Sequence, residues 1–163
     1  SPRPALPAAS HASTKTRPVD SFLWHTQPVV LPLKEEPGYD VAENRALMEK
    51  SETSDKDWVQ AARRIVLADW LKQPIELGLL RIGPVDVVYL PGESVIEFQL
   101  FTQSQHADRF TAVAAYGDLA TGYICEEKDF DQGGYEPSAS HVMPKSESIL
   151  KEAIRKLLED SKQ

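Results

Sequence analysis

An α/β fold, with a mixed sheet and flanking helices, is what this sequence predicts, and three features predict it. Short β-rich runs such as VDVVYL (85–90) alternate along the chain with stretches of helical periodicity. The segment SESILKEAIRKLLED places Ile149, Leu150, Ala153, Ile154, Leu157 and Leu158 on one stripe, as an amphipathic helix does. Gly83-Pro84 and Pro91-Gly92 mark sharp corners at which the β-rich runs end.

The opening SPRPALPAASHASTKTRPVD combines Pro, Ala and Ser with little to bury, so positions 1–20 read as an extended or mobile lead-in. Positions 21–163 read as a single α/β domain. QPVVLPL (27–33) suits a short strand, and Pro28 and Pro32, which cannot donate to a ladder, favour a sheet edge. KEEPGYD is a turn, and Val41–Lys50 a short helix. Ser54-Asp55-Lys56-Asp57 has the form of a capping box, followed by Trp58, Ala62, Ile65 and Trp70 at near-helical spacing. That helix should stop at Gln73, because the residue before Pro74 is pushed out of the α region.

IELGLLRI and VDVVYL flank Gly83-Pro84 and predict a hairpin or tight strand pair. Ser94, with Glu97 three positions later, predicts a second capping box opening a helix to about Gln105. RFTAVAAYG (109–117) reads as a buried strand of small residues. Residues 118–144 read as a long irregular segment containing Gly122, Gly133, Gly134 and Pro137. In the last helix Ser146 is the expected cap, and Glu152 precedes Lys156 by four, the favourable order for an ion pair.

Composition narrows the function. The chain has 163 residues, enough for one domain with a real core, and a hydrophobic fraction of 41%. A net charge of −7, with no basic cluster interleaved with aromatics, argues against nucleic acid as a partner. No apolar run is long enough to span a bilayer, and no signal peptide is visible. The lone Cys125 excludes an internal disulfide and a cysteine-based zinc knuckle. HExxH, GxSxG and glycine-rich phosphate loops are absent, and His11, His25, His106 and His141 form no recognisable set.

Three stretches carry candidate chemistry. In α/β sheets, ligands bind where strands end and helices begin, and LPGES (90–94) is such a junction. Glu93 there either complements a helix dipole, a contribution of roughly 0.3–1 kcal/mol, or ligates a metal. In AAYGDLATGYICEE, Asp118 reads as a turn residue, Tyr123 as a loop plug or a ligand, and Glu126 and Glu127 as solvated acids. DQGGYEPSAS presents Tyr135-Glu136 after two glycines, either as a surface turn or as a segment able to approach a ligand.

Taken together, PGE, a strand, GYI with acidic residues, and QGGYE resemble the neutral/alkaline non-lysosomal ceramidase family. The similarity runs from roughly Leu79 to Met143 and looks like the later part of that family's catalytic domain. The bacterial ceramidase-like proteins are the nearer resemblance, and WHTQPVVLPL and the helix before PIELGLLRIG are similar to them as well. The resemblance implies a zinc amidohydrolase, in which ceramidases split the N-acyl bond of ceramide into a fatty acid and a sphingoid base. It implies zinc held by Glu93, Tyr123 and two histidines that precede Ser1, in an upstream part of the same domain. Tyr135, twelve positions after Tyr123 as in the family, takes the role of the active-site tyrosine that contacts substrate and stabilises the oxyanion.

Where ceramidases carry Phe-Thr after PGE, this chain has Ser94-Val95; Ile124-Cys125-Glu126-Glu127 replaces a threonine-rich run, and Phe130 replaces a tyrosine. These changes point away from ceramide itself and toward another N-acyl, lipid-like amide. The isolated chain would hold half a ligand set and be inactive. Family members are often secreted or membrane-associated, so a secreted or periplasmic placement is implied by resemblance alone. The alternative reading is a non-catalytic α/β binding or assembly module, with Glu93 a helix-terminal acid and the tyrosines packing residues.

Overall fold

The computed structural model describes residues 18–19, 21–106, 108–117 and 121–161. Most of the 1–20 lead-in, with His11, and Asp118 lie outside the described residues. In chain order the elements are β1 (Phe22–Val29), α1 (Val41–Glu49), α2 (Asp55–Trp70), β2 (Ile75–Ile82), β3 (Val85–Pro91) and β4 (Glu93–Ser94). Then come α3 (Ile96–Gln105), β5 (Phe110–Gly117), β6 (Tyr123–Ile124), α4 (Glu127–Gln132), α5 (Tyr135–Ala139) and α6 (Ser146–Asp160).

The main sheet has the order β1-β2-β3-β5, with the first two pairings antiparallel and β3-β5 parallel. This is the mixed α/β sheet expected. The β2-β3 hairpin turns at Gly83-Pro84, while the parallel pair needs a crossover, which α3 supplies. Pro28 sits on the edge strand opposite Glu76, the kind of position to which a residue without an N–H is confined. The strand itself spans 22–29 rather than 27–33. Residues past it leave the sheet, and Leu33 forms an isolated bridge with Val142.

The core lies on one face of the sheet. Leu150, Ala153, Ile154, Leu157 and Leu158 of α6 pack against Leu77, Leu79, Val88, Leu90 and Phe98. Each large side chain fully buried there stabilises the fold by roughly 1.5–3 kcal/mol. On the edge strand, Phe22 and Trp24 stay 72% and 53% exposed. Trp24 lies over Gly78, where any Cβ would come within 2.6 Å of its ring.

Several helix boundaries differ from those expected. Ser54 does cap α2, accepting from the Asp57 N–H at 3.2 Å and donating to its carboxylate at 2.7 Å. The helix ends at Trp70, three residues before Gln73, whose N–H closes a turn on the Trp70 carbonyl. Its buried face is formed by Ala61 and Ala68, whose small side chains allow close packing, so Trp58 is left 45% exposed. Ser94 caps nothing: residues 93–94 are held in β4, and the hydroxyl donates to the Pro91 carbonyl at 2.9 Å. Ser146 likewise begins α6 with its hydroxyl buried and unbonded. Glu152 bonds Arg155 at 3.0 Å, while the four-apart pair on this helix is Glu147–Lys151.

The segment read as irregular holds β6, α4 and α5. Glu126 is mostly buried rather than solvated. Its N–H donates to Asp129 as α4 begins, and its carboxylate pairs with Lys128 and Lys151. Glu127 is exposed. Among the described residues, no helix is long and apolar enough to cross a membrane.

The start of β3 is locked by charge. Asp86 is fully buried and accepts two bonds from Arg81, at 2.8 and 3.0 Å, and two from Arg109, at 3.1 and 3.0 Å. Arg81 also donates to the Ser161 carbonyl at 2.7 Å, and Arg109 to the Gly83 carbonyl at 2.6 Å. The clamp therefore joins β2, β3, the hairpin turn, the entry to β5 and the end of α6. Burial alone would raise the Asp86 pKa, but the bonds and charges of Arg81 and Arg109 outweigh it and hold the carboxyl at about 2.

A depressed folded pKa means that the clamp contributes fully above the ordinary carboxylate range and is lost as pH falls through about 2. Urea unfolding as a function of pH is expected to show stability falling between roughly pH 4 and pH 2. Asp86→Ala, which strands two guanidinium groups, is expected to cost about 3–5 kcal/mol at neutral pH and to abolish that acid limb.

Candidate functional site

The site is built where β3 ends. Its last residue, Pro91, is followed by Gly92 at φ +57°, and the chain enters β4 at once. A Cβ on Gly92 would lie 2.5 Å from Thr121 Oγ1 and 2.6 Å from the Gly122 carbonyl oxygen. Only glycine permits both this turn and this approach. The approach brings β4 against β6 as a parallel pair, with Glu93 opposite Tyr123 and Ser94 opposite Ile124. The Glu93 N–H donates to the Gly122 carbonyl at 2.9 Å and the Val95 N–H to the Ile124 carbonyl at 3.1 Å.

Directly opposed residues on paired strands share a face, with strands about 4.8 Å apart. Glu93 and Tyr123 thus project to the same side. The Tyr123 pKa is raised by burial first, then by the facing Glu93 carboxylate, with smaller contributions from Tyr135 and Glu136. The Tyr135 ring meets that of Tyr123 edge-on, with centroids 5.7 Å apart and planes at 78°. The acid and both phenols singled out from the sequence therefore form one cluster.

Tyr135 begins α5 and is 70% exposed, so its hydroxyl is open to an incoming molecule. The tail of β1 pins this short helix. Lys34, buried to 6% exposure, donates through Nζ to the Pro137 carbonyl at 3.0 Å and lies 5.5 Å from the Phe130 ring centre. The Lys34 N–H bonds the His141 carbonyl at 2.9 Å, and the Met143 N–H bonds the Pro32 carbonyl at 2.9 Å.

Two further residues at the site were not singled out from the sequence. Tyr116 is the sole described non-glycine residue with positive φ, at +65°, a conformation costing about 1–2 kcal/mol. The Glu93 carboxylate first, then burial, raise the pKa of the Tyr116 phenol. A signal was present, since Tyr-Gly at a strand end puts an aromatic where glycine is usual. His141 sits beside Gly122, with Cδ2 3.0 Å from where a Cβ would be, and its Nδ1 is 3.0 Å from the Tyr39 hydroxyl. Burial, then Arg63, Arg64 and Lys34, lower its pKa. His141 and Gly122 border an apolar groove of about 600 Å³ along α2, lined by Trp58, Ala62, Val66 and Trp70.

Two other side chains able to carry chemistry lie elsewhere. His106 faces Asp86 at 3.3 Å, in the clamp at the opposite end of β3. Cys125 is buried, and burial first, then nearby acids, push its thiol up to about 11, leaving it a packing residue. Among the described residues, no group of three or more His, Cys, Asp and Glu side chains could hold a metal. Glu93 and Tyr123 supply two oxygen donors on one face, which suits two positions of a zinc shell and leaves the others to groups beyond these.

No protein-family profile matches the chain, and no curated protein is similar to it in sequence. Among solved structures, it is similar to the neutral ceramidase from Pseudomonas aeruginosa, with a TM-score of 0.54, 13% identity and 84% of this chain covered. A ceramidase complexed with C2 matches at a TM-score of 0.48 and 13% identity over 55% of this chain. This chain spans 28% of the former chain and 15% of the latter. The likeness is one of fold: the chain has the fold of part of a bacterial neutral ceramidase.

The Gly92 corner can be tested against a control. Gly92→Ala is expected to cost at least about 2 kcal/mol in urea unfolding and to remove the nuclear Overhauser contacts between the Tyr123 and Tyr135 rings. Gly83 also has positive φ, +53°, but a Cβ there meets nothing within 4 Å. Gly83→Ala is expected to cost about 1 kcal/mol and to leave the ring contacts intact. Equal effects of the two changes would show that the close approach of Gly92 does not set the site.

Proposed function

We propose that this chain is the C-terminal part of a zinc-dependent, ceramidase-like amidohydrolase acting on an N-acyl, lipid-like amide. One observation carries the reading: Glu93 and Tyr123, thirty positions apart, face each other across β4 and β6 with Tyr135 against them. The ceramidase-like fold supports it, since the cluster lies at a strand end, where α/β sheets bind ligands. In this reading Glu93 and Tyr123 supply two zinc ligands, and two histidines come from an upstream part of the same domain. When bound, zinc supplies Lewis-acid polarisation of the amide carbonyl.

The chain's own residues do the rest. Tyr135, exposed and edge-on to Tyr123, donates its hydroxyl proton in a hydrogen bond to the oxygen that gains charge as the amide is attacked. The backbone bond from Glu93 to Gly122 holds the acid and the phenol in register, so both can engage one ion without rearranging the strands.

A second reading has its own support. The Glu93 carboxylate already has two phenols as neighbours, Tyr123 opposite it and Tyr116 at the adjoining bulge, and such an acid can serve a non-catalytic α/β binding or assembly module.

Zinc titration by calorimetry separates the two. The full-length protein is expected to bind one zinc per chain, and Glu93→Ala to abolish that stoichiometry with little change in melting temperature. The 163-residue chain alone is expected to bind zinc weakly and to show no amidase activity toward N-acyl amides. Retention of stoichiometric zinc by Glu93→Ala, or amidase activity of the chain alone upon zinc addition, would overturn the first reading.

A further inference from the structure

The pairing of β3 with β5 slips just before the site. Tyr89 pairs with Ala114, but Pro91 pairs with Gly117, so β5 carries one residue more than β3 across this interval. Such bulges bend a strand and re-aim a side chain, and they are frequent beside active sites. The bulge residue in the left-handed conformation is Tyr116, whose N–H donates to the Gly92 carbonyl at 2.6 Å. Glycine would take this conformation without strain.

Packing does not account for the tyrosine. Tyr116 is 67% exposed, so its ring adds little to the core. The backbone bond to Gly92 sets Tyr116 beside the turn from which Glu93 emerges, and the Glu93 carboxylate acts on its phenol. A strained, exposed residue held against a candidate ligand points to a role in the site rather than in the fold.

We propose that Tyr116 is a positioning residue for Glu93: the bulge at the end of β5 holds the phenol on the carboxylate and fixes the direction in which Glu93 presents itself to a ligand. This deepens the hydrolase reading and rests on it for the identity of that ligand. Groups that hydrogen-bond a metal's carboxylate ligand orient it, and their removal commonly lowers metal affinity by about 10–100-fold. Tyr123 lies across from Glu93 on β6 and Tyr116 lies on β5, so the acid is flanked by phenols from two different strands.

The experiment compares Tyr116→Phe and Tyr116→Gly with the unaltered protein. In the full chain, side-chain NMR of Glu93 is expected to show one dominant rotamer, with its methylene protons inequivalent. Tyr116→Phe, which keeps the ring and the strained backbone, is expected to average those protons while leaving the Tyr123–Tyr135 ring contacts in place. Tyr116→Gly is expected to average them too, and to raise the melting temperature by relieving the strain. In the full-length protein, zinc affinity by calorimetry is expected to fall about 10-fold or more in Tyr116→Phe. Unchanged Glu93 signals in Tyr116→Phe would overturn the proposal, as would a large loss of melting temperature in Tyr116→Gly with Tyr116→Phe unaltered. Averaged Glu93 signals in a protein that binds no zinc at all would uphold the positioning role and refute zinc as the ligand.

Discussion

The close approach of Gly92 to Thr121 and Gly122 is the constraint on which the arrangement depends. A single side-chain carbon at residue 92 would overlap Thr121 Oγ1 and the Gly122 carbonyl. Without it, β3 runs straight into β4, β4 lies on β6, and an acid and a phenol thirty positions apart become neighbours. The short ladder has two residues on each side, too few to hold itself. It depends on the larger sheet to deliver Glu93 and on the tail of β1 to hold the chain beyond Tyr123.

The two ends of β3 use charge in opposite ways. At its start, Asp86 is buried and matched by two bidentate guanidinium groups, so every strong acceptor position is used. Breaking such a pair strands buried charge, which makes the clamp a determinant of register as much as of stability. At its end, Glu93 has the phenols of Tyr116 and Tyr123 as neighbours among the described residues and stays partly exposed. Phenols donate to a carboxylate without cancelling its charge, so the acid keeps its attraction for a cation or a polarised group.

Strain is distributed in the same way. Among the described residues, unfavourable backbone at a non-glycine position occurs once, at Tyr116, and it occurs beside Glu93. The clamp around Asp86, by contrast, is built from ordinary backbone and long flexible side chains. A fold that keeps strain at one strand end while locking the other with matched charge can hold a polar, partly exposed cluster in place without core packing around it. The buried Lys34, bonded to the Pro137 carbonyl, gives Tyr135 similar support from a third direction.

By itself the sequence determined the class of the fold, the β2–β3 hairpin, the Ser54 cap and the apolar stripe of the last helix. Those features are local, because periodicity, capping and turn chemistry act over a few residues. It also singled out Glu93, Tyr123 and Tyr135, through short motifs rather than through any periodicity. Only the tertiary structure decided that residues 93–94 form a strand, since their partners lie thirty positions away and local signals favoured a helix cap. The same is true of Asp86, which interrupts an apolar run for no local reason and is explained only by Arg81 and Arg109 converging on it. Tyr116 belongs with them: its conformation follows from a register slip between two strands, and register is a property of the pair, not of either sequence alone.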